Sequence, residues 1–142
     1  MVLLTHIIKY FETIVVAMIL KHSYDVPAKP IKKPGFKEMK ARFLLTSQDG
    51  CPRYALRLME FGPGGCTSYH RHQEEHEMFF LEGEGVVVGK RKKEVPVRAG
   101  DALFILPCEY NQIKNTGKNT LKMICTVPIL SRQTGKATTP CE

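Results

Sequence analysis

Apolar residues along this chain occur in short runs that are separated by turn-forming residues. The run Tyr54–Phe61 precedes a glycine-rich stretch, and Met78–Leu81 and Val86–Val88 are separated by alternating Glu and Gly. Short apolar runs bounded by Gly, Pro, Asn or Asp are typical of β-strands. We predict a turn at residues 62–65 and strands at about 36–46, 54–61, 66–72, 76–82, 85–90, 94–98, 102–106, 111–115 and 120–127.

This pattern predicts an all-β fold, a small antiparallel barrel, built as one domain. The chain has 142 residues, of which 43% are hydrophobic and 25% charged, as is typical of a soluble globular domain. It contains neither a P-loop nor a dinucleotide-binding glycine pattern. We assign the domain to residues 18–130, with a short N-terminal extension at 1–17 and a flexible tail at 131–142.

The first 17 residues are apolar, but Lys9 and Glu12 interrupt them. The uninterrupted run Thr13–Leu20 is too short to cross a bilayer, and no signal-peptide pattern is present. We therefore expect no membrane partner. We expect the segment to be dispensable for folding and metal binding. Either it packs as a short helix or it is absent from the natural protein.

The net charge of +7 comes in part from basic clusters at Lys29–Lys40 and Lys90–Lys93. The second cluster is expected at a hairpin tip, where charges are usually solvated. The chain has no Trp, and its aromatic residues do not interleave with the basic clusters as base stacking requires. We therefore expect no nucleic-acid partner.

Five cysteines are scattered along the chain, and none forms a C-x-x-C pair. An odd number without a framework predicts reduced thiols in a cytoplasmic protein. Cys125 lies in the strand-like run Leu121–Val127, which favours a small buried side chain over a reactive thiol.

Three histidines are concentrated within His70–Glu77. Residues i and i+2 of a strand face the same side, so His70 and His72 can offer two imidazoles to one cation. A short turn would return the chain so that His76 opens the next strand on that face. Three neutral imidazoles suit one divalent transition metal (Mn, Fe, Ni, Cu or Zn) better than Ca or Mg. The alternative is a solvated turn rich in His and Glu.

The glycines that flank these histidines stand at a recognisable spacing. Gly64, the His70-x-His72 pair and Gly83 resemble the first motif of the cupin family. His76 then occupies the position where the family usually has Glu. Glu77 is an alternative ligand in the variant of the motif that is one residue longer.

A second segment, Gly100–Asn115, resembles the second motif of the cupins. The family usually has a metal-binding histidine where this chain has Asn111. An amide oxygen is a weak neutral ligand. The resemblance therefore implies a site of three histidines completed by the Asn111 oxygen or by water.

The resemblance extends to the small monocupins, which include manganese-binding proteins of thermophiles. Met18–Val26 looks like their opening segment, and Met123–Pro128 looks like their last strand. It implies a small jelly-roll barrel over most of the chain. Because the sheets of such a barrel leave edges that need cover, we also expect a homodimer in which Met18–Val26 pairs across the subunit boundary. The alternative is pairing within one chain.

Strand parity suggests which side chains line the interior pocket. Met78, Phe80, Met123 and Cys125 are the candidates, each with ordinary core packing as the alternative. Arg57 lies between two leucines and, if it faces the pocket, can hold a carboxylate by paired hydrogen bonds.

Two functions from different classes follow from this site. One is a metal-dependent enzyme, most simply an oxygenase, that acts on a small organic molecule. The other is a non-catalytic cupin that binds or senses a small ligand through a degraded metal site. Fold resemblance alone does not choose between them, because one fold hosts many functions.

Overall fold

One antiparallel sheet joins the strands of the computed structural model, which describes residues 18–130 and Cys141. Among these residues, short 3-10 turns lie at Ser23–Asp25, Ser47–Asp49 and Lys90–Lys92. The strands of the described part are β1 (Lys29–Pro30), β2 (Lys37–Leu45), β3 (Tyr54–Cys66), β4 (His76–Glu82), β5 (Glu84–Val88), β6 (Glu94–Arg98), β7 (Ala102–Ile105), β8 (Gln112–Asn115) and β9 (Leu121–Pro128).

The order of the strands shows how the sheet curls. The hydrogen-bonded path runs β6-β5-β8-β3-β9-β4-β7, with β2 on β3 and β1 on β2. Strand β3 pairs with β9 from Tyr54 to Phe61 and then with β8 at Cys66. The predicted all-β class, a small antiparallel jelly-roll barrel, is confirmed.

The glycine-rich stretch that we predicted as a turn lies inside β3. Opposite it on β2, Lys37 pairs with Cys66 and Met39 pairs with Phe61, so four residues of β3 face one residue of β2. This is a β-bulge, and Gly64 accommodates it with a φ of +73° that side chains rarely adopt. The predicted turn at 62–65 and the predicted strand at 66–72 are therefore wrong, because a bulge extends the first strand and a loop follows it.

Asn115 holds this bulge from within the barrel. Its side chain is 3% exposed, and its amide nitrogen donates to the carbonyl oxygens of Phe61 (2.9 Å) and Gly62 (3.0 Å). The same nitrogen lies 2.8 Å from the carbonyl of Asn119, and the amide oxygen accepts from Gly117 N–H at 3.0 Å. Each half of this buried amide is thus hydrogen-bonded, as burial of a polar group requires.

The core follows the alternation that the sequence predicts. On β4, Met78 and Phe80 are buried at 6% and 0% exposure, whereas Phe79 and Leu81 are exposed. Alternate residues of a strand face opposite sides of the sheet, so one face of β4 packs inward. The largest fully buried side chains are Phe61, Phe80, Ile113, Leu121, Met123 and Cys125.

Two cysteines form a disulfide that we did not predict. Cys108 is bonded to Cys141, with 5.4 Å between their Cα atoms, while Cys51, Cys66 and Cys125 are free. The expectation that all the thiols are reduced is wrong for this pair, because sequence spacing does not reveal which cysteines meet in space. That expectation was the argument for a cytoplasmic protein, which loses this support.

Several predictions fall on segments that the structure does not describe. The extension at 1–17 lies outside the described residues, as do 131–140 and Glu142 of the tail. Within the described part of the chain, no helix is long and apolar enough to span a membrane. The homodimer stays a prediction, and Met18 and Leu20, next to the extension, are each 94% exposed.

Removing the disulfide with the Cys108→Ser/Cys141→Ser double variant should lower the free energy of unfolding by about 2–4 kcal/mol. The bond closes a sequence separation of 33 residues, so it restricts the unfolded chain. Denaturant unfolding under non-reducing conditions measures the difference. Cys51→Ser is the matched control, and equal stability of the double variant and the control would contradict the prediction.

Candidate metal and ligand pocket

A pocket of about 1010 Å³ lies against β2, β3, β4, β8 and β9. A second cavity of about 940 Å³, near β1 and β2, contains none of the three predicted histidine ligands. The polar lining of the first is Lys33, Arg57, Thr67, His70, His72, Glu74, His76 and Asn111. Its apolar lining is Ile31, Phe36, Met39, Ala41, Phe43, Ala55, Met59, Met78, Ile113, Val127, Pro128, Ile129 and Leu130.

The three histidines that we predicted as ligands lie side by side in this pocket. The ring centroids are 5.4 Å apart for His70 and His72, and 4.3 Å apart for His72 and His76. A loop, rather than a strand, carries the first two. The backbones of His70 and Asn111 exchange hydrogen bonds of 3.1 and 2.9 Å, and this bridge fixes the loop beside β8.

The Nδ1 atoms of these rings face different partners. His70 Nδ1 lies 2.8 Å from the carbonyl oxygen of Ser68. A carbonyl only accepts, so this nitrogen donates and leaves the lone pair on Nε2. His72 Nδ1 is buried and makes no hydrogen bond, although Glu74 Oε2 lies 3.4 Å away.

The ring of His76 lies next to residues of β3 and β9. His76 Nδ1 lies 3.2 Å from the sulfur of Cys125, and Arg57 Nη2 donates to the same sulfur at 3.3 Å. Arg57 and Cys125 are paired across β3 and β9, which explains their contact. Arg57 Nε is buried without a hydrogen-bond partner. The guanidinium therefore lines the pocket instead of facing solvent.

Burial shifts the protonation of the site toward neutral forms. Burial, together with the nearby charges of His72 and Arg57, lowers the pKa of His76 to about 3. Burial also lowers the pKa of His72, against the attraction of Glu74. Burial raises the pKa of the Cys125 thiol, against the effect of Arg57. Both shifted rings are neutral at pH 7, which is the form that binds metals.

Asn111 and Glu77 are the two residues whose roles the sequence left open. Asn111 lines the pocket at 6% exposure, and its amide nitrogen donates to the carbonyl of Glu109 at 3.1 Å. The amide oxygen is the atom that remains for a ligand. Glu77 is exposed on the outer face of β4, whereas the neighbouring His76 lines the pocket.

The predicted pocket lining divides into two groups. Arg57 and Met78 line the pocket. Phe80, Met123 and Cys125 are fully buried in the core and are absent from the lining. Parity places all of these residues on the inner face of the sheet, but parity does not tell how deep along the barrel a residue lies. The sulfur of Cys125 nevertheless contacts two lining residues, His76 and Arg57.

Sequence reasoning missed two residues that contact His70. The ring of Phe36 packs on His70 with 5.7 Å between centroids, and the carbonyl of Ser68 accepts from His70. Phe36 comes from the segment before β2, which carries no periodic signal for the pocket. Ser68 acts through its backbone, so its residue type gives no signal.

The residue types in this pocket are ones that bind transition metals. Among residues 18–130 and Cys141, no three His, Cys, Asp or Glu side chains are grouped so as to hold a metal ion as they stand. The donor chemistry fits, because neutral imidazoles are preferred ligands of such metals. Nδ1 of His72 is buried and has no hydrogen-bond partner among the described residues. Rotation of side chains would be needed to bring the three rings together on one ion.

Comparisons with known proteins agree with the architecture. The family model for the cupin domain matches residues 57–127, which is half of the chain. An oxalate-binding protein of Thermotoga maritima is 36% identical over 73 residues. That alignment covers 51% of this chain and 60% of the relative, so the chain spans less than two thirds of the relative's length.

Two solved structures extend the likeness beyond the matched region. The polyketide cyclase RemF from Streptomyces resistomycificus is 32% identical, with a TM-score of 0.75, over 79% of this chain and 80% of that one. A predicted oxalate decarboxylase from Thermotoga maritima is 26% identical, with a TM-score of 0.70, over 78% of this chain and 98% of that one. Each likeness covers more than three quarters of this chain.

Without metal, the protein should lose stability as the pH falls from about 6.5 toward 3, because unfolding lets His76 take up a proton that the folded state excludes. Because the pKa of His76 is lowered in the folded state, its contribution to the free energy of unfolding is fully present above about pH 6.5. Below that pH the free energy of unfolding falls by at most about 1.4 kcal/mol per pH unit. His72 adds a change of the same sign. Denaturant unfolding of chelator-treated protein at several pH values measures the slope.

His76→Asn should flatten this slope, while replacement of the exposed His22 by Asn is the matched control. An unchanged slope in His76→Asn would contradict the burial of a neutral ring.

Proposed function

The chain belongs to the cupin family, and we propose that it is a metal-dependent enzyme of the oxygenase type that acts on a small organic molecule. The observation that carries this proposal is the gathering of His70, His72 and His76 in a largely apolar pocket, with ring centroids 5.4 and 4.3 Å apart. Apolar walls with a few convergent polar groups are typical of small-molecule sites.

His70, His72 and His76 would hold the metal, and the Asn111 oxygen or a water would complete the set. When bound, a divalent transition metal supplies a Lewis acid and a redox centre beside the pocket. The chain's own residues orient these ligands, since Ser68 accepts from His70. The apolar walls exclude water from the reacting molecule.

Arg57 gives the pocket a preference for anions. Its guanidinium lines the pocket, and the two neighbouring rings His72 and His76 are neutral, so no imidazolium competes with it for a carboxylate. Guanidinium and carboxylate form charge-assisted hydrogen bonds. We therefore expect a mostly apolar carboxylate as the substrate. The oxalate named for one relative is a carboxylate, and the cyclase among the similar structures acts on a polyketide, which supports a small oxygen-containing organic substrate.

The alternative is a non-catalytic cupin that binds or senses a small ligand. Asn111 favours it, because a histidine is usual at this position in the family and an amide oxygen is a weaker ligand. The absence of a ready-made metal group among the described residues favours it too. Under this alternative the pocket and Arg57 keep their roles, and only the metal chemistry is lost.

Replacing His72 with Ala should reduce the bound metal from about one ion per chain to a small fraction, because it removes one of three imidazoles. Metal analysis of purified protein, after loading with Mn²⁺ or Fe²⁺, measures the stoichiometry. His22→Ala is the control. Stoichiometric metal in His72→Ala would show that the three histidines do not form the site. Metal-loaded wild type that consumes no O₂ with any apolar carboxylate would favour the binding alternative.

Arg57→Met should weaken the binding of benzoate by about 10- to 100-fold, because a charge-assisted hydrogen bond contributes about 1.5–3 kcal/mol. Binding of benzamide, which has the same shape without the charge, should change little. Lys33→Met is the matched control, since Lys33 is the other cation of the lining. Calorimetric titration of the three proteins decides this. A larger loss in Lys33→Met than in Arg57→Met would place the anion elsewhere in the pocket.

A further inference from the structure

One buried sulfur connects the candidate metal ligand to the candidate substrate anchor. Cys125 lies in the middle of β9 with 0% exposure, paired with Arg57 of β3 and with Met78 of β4. Its sulfur has three polar neighbours: Arg57 Nη2 at 3.3 Å, His76 Nδ1 at 3.2 Å and the carbonyl oxygen of Thr126 at 3.9 Å.

The chemistry of the three neighbours limits where the protons can lie. Arg57 can only donate, and the carbonyl of Thr126 can only accept. A thiol has one proton, which either the Thr126 carbonyl or His76 Nδ1 can accept, while the sulfur lone pairs accept from Arg57. All three contacts are hydrogen bonds at once only if His76 Nδ1 also donates to the sulfur. If the thiol donated to His76 instead, the contact with Thr126 would have no proton.

We infer that Cys125 is a positioning residue, which accepts a hydrogen bond from His76 Nδ1 and so leaves the Nε2 lone pair of this ring free for a metal. The inference rests on the proposed role of His76 as a ligand. It gives His76 the same arrangement as His70, whose Nδ1 faces the Ser68 carbonyl at 2.8 Å. Protein groups that bind the second nitrogen of a ligating histidine fix its tautomer and its orientation.

The sulfur also sets the spacing between two parts of the pocket. Because Arg57 and His76 donate to one atom, the guanidinium and the imidazole are held at a fixed separation. A carboxylate on Arg57 is thereby kept at a defined distance from the ring that would bind the metal. Replacement of Cys125 by a small apolar residue would leave both donors without their partner.

The tautomer can be measured directly. In metal-free protein labelled with ¹⁵N-histidine, at about pH 8 where the ring is neutral, His76 should carry its proton on Nδ1. Cys125→Ala should shift His76 toward the Nε2–H form, whereas Cys125→Ser, which keeps an acceptor, should retain the Nδ1–H form. Cys51→Ala, at another free cysteine, should leave the spectrum unchanged.

The same variants test the consequence for metal binding. Mn²⁺ and Zn²⁺ should bind Cys125→Ala about 10- to 100-fold more weakly than wild type, as is typical when a partner of a ligating histidine is lost. Cys125→Ser should recover most of the affinity.

The outcomes separate this inference from the proposed function. An Nε2–H tautomer of His76 in wild type would overturn the inference, and this measurement needs no variant to fold. Equal metal affinity in wild type and Cys125→Ala would overturn the positioning role. A wild type with the Nδ1–H tautomer that binds neither Mn²⁺ nor Zn²⁺ would support the proton assignment and overturn the proposed metal-dependent function.

Discussion

The β-bulge in β3 is the constraint on which the rest of the structure depends. Up to Phe61 this strand pairs with β9, and at Cys66 it pairs with β8, so the bulge between them turns one strand from one side of the barrel to the other. Asn115 satisfies the carbonyls of Phe61 and Gly62 that the bulge leaves facing inward. Because one buried amide from β8 holds the bulge, the strand that carries Arg57 and the loop that carries His70 and His72 are placed relative to each other.

The electrostatics of the pocket follow from burial more than from paired charges. Burial keeps His72 and His76 neutral, and the Arg57 guanidinium lies in a largely apolar environment. Arg57 is partly buried, and its Nε is buried without a hydrogen-bond partner, which is costly unless a ligand or a polarizable group compensates it. The sulfur of Cys125 provides one such contact. In the proposed site an anionic ligand would provide the other, which would make the pocket selective by charge as well as by shape.

How much could be predicted from the sequence depended on whether the signal was local. Alternation along β4 predicted that Met78 and Phe80 face inward, and histidine spacing identified a cluster that the structure brings together. Non-local features were missed. The glycines after Phe61 suggest a turn as readily as a bulge, because both need the same backbone freedom and only the partner strand distinguishes them. The pairing of Cys108 with Cys141 likewise depends on where the chain returns.

His72 shows how the site can be ordered in its backbone and adjustable in its rings. The carbonyl of His72 accepts from Cys108 N–H at 2.8 Å, and Arg71 next to it donates to the carbonyl of Cys141 at 3.2 Å. The two cysteines of the disulfide therefore fix this loop through these hydrogen bonds. The ring itself has a buried Nδ1 without a hydrogen bond, with Glu74 near enough to accept after a small rotation. In the proposed site, metal binding would thus reorient side chains on a backbone that is already fixed.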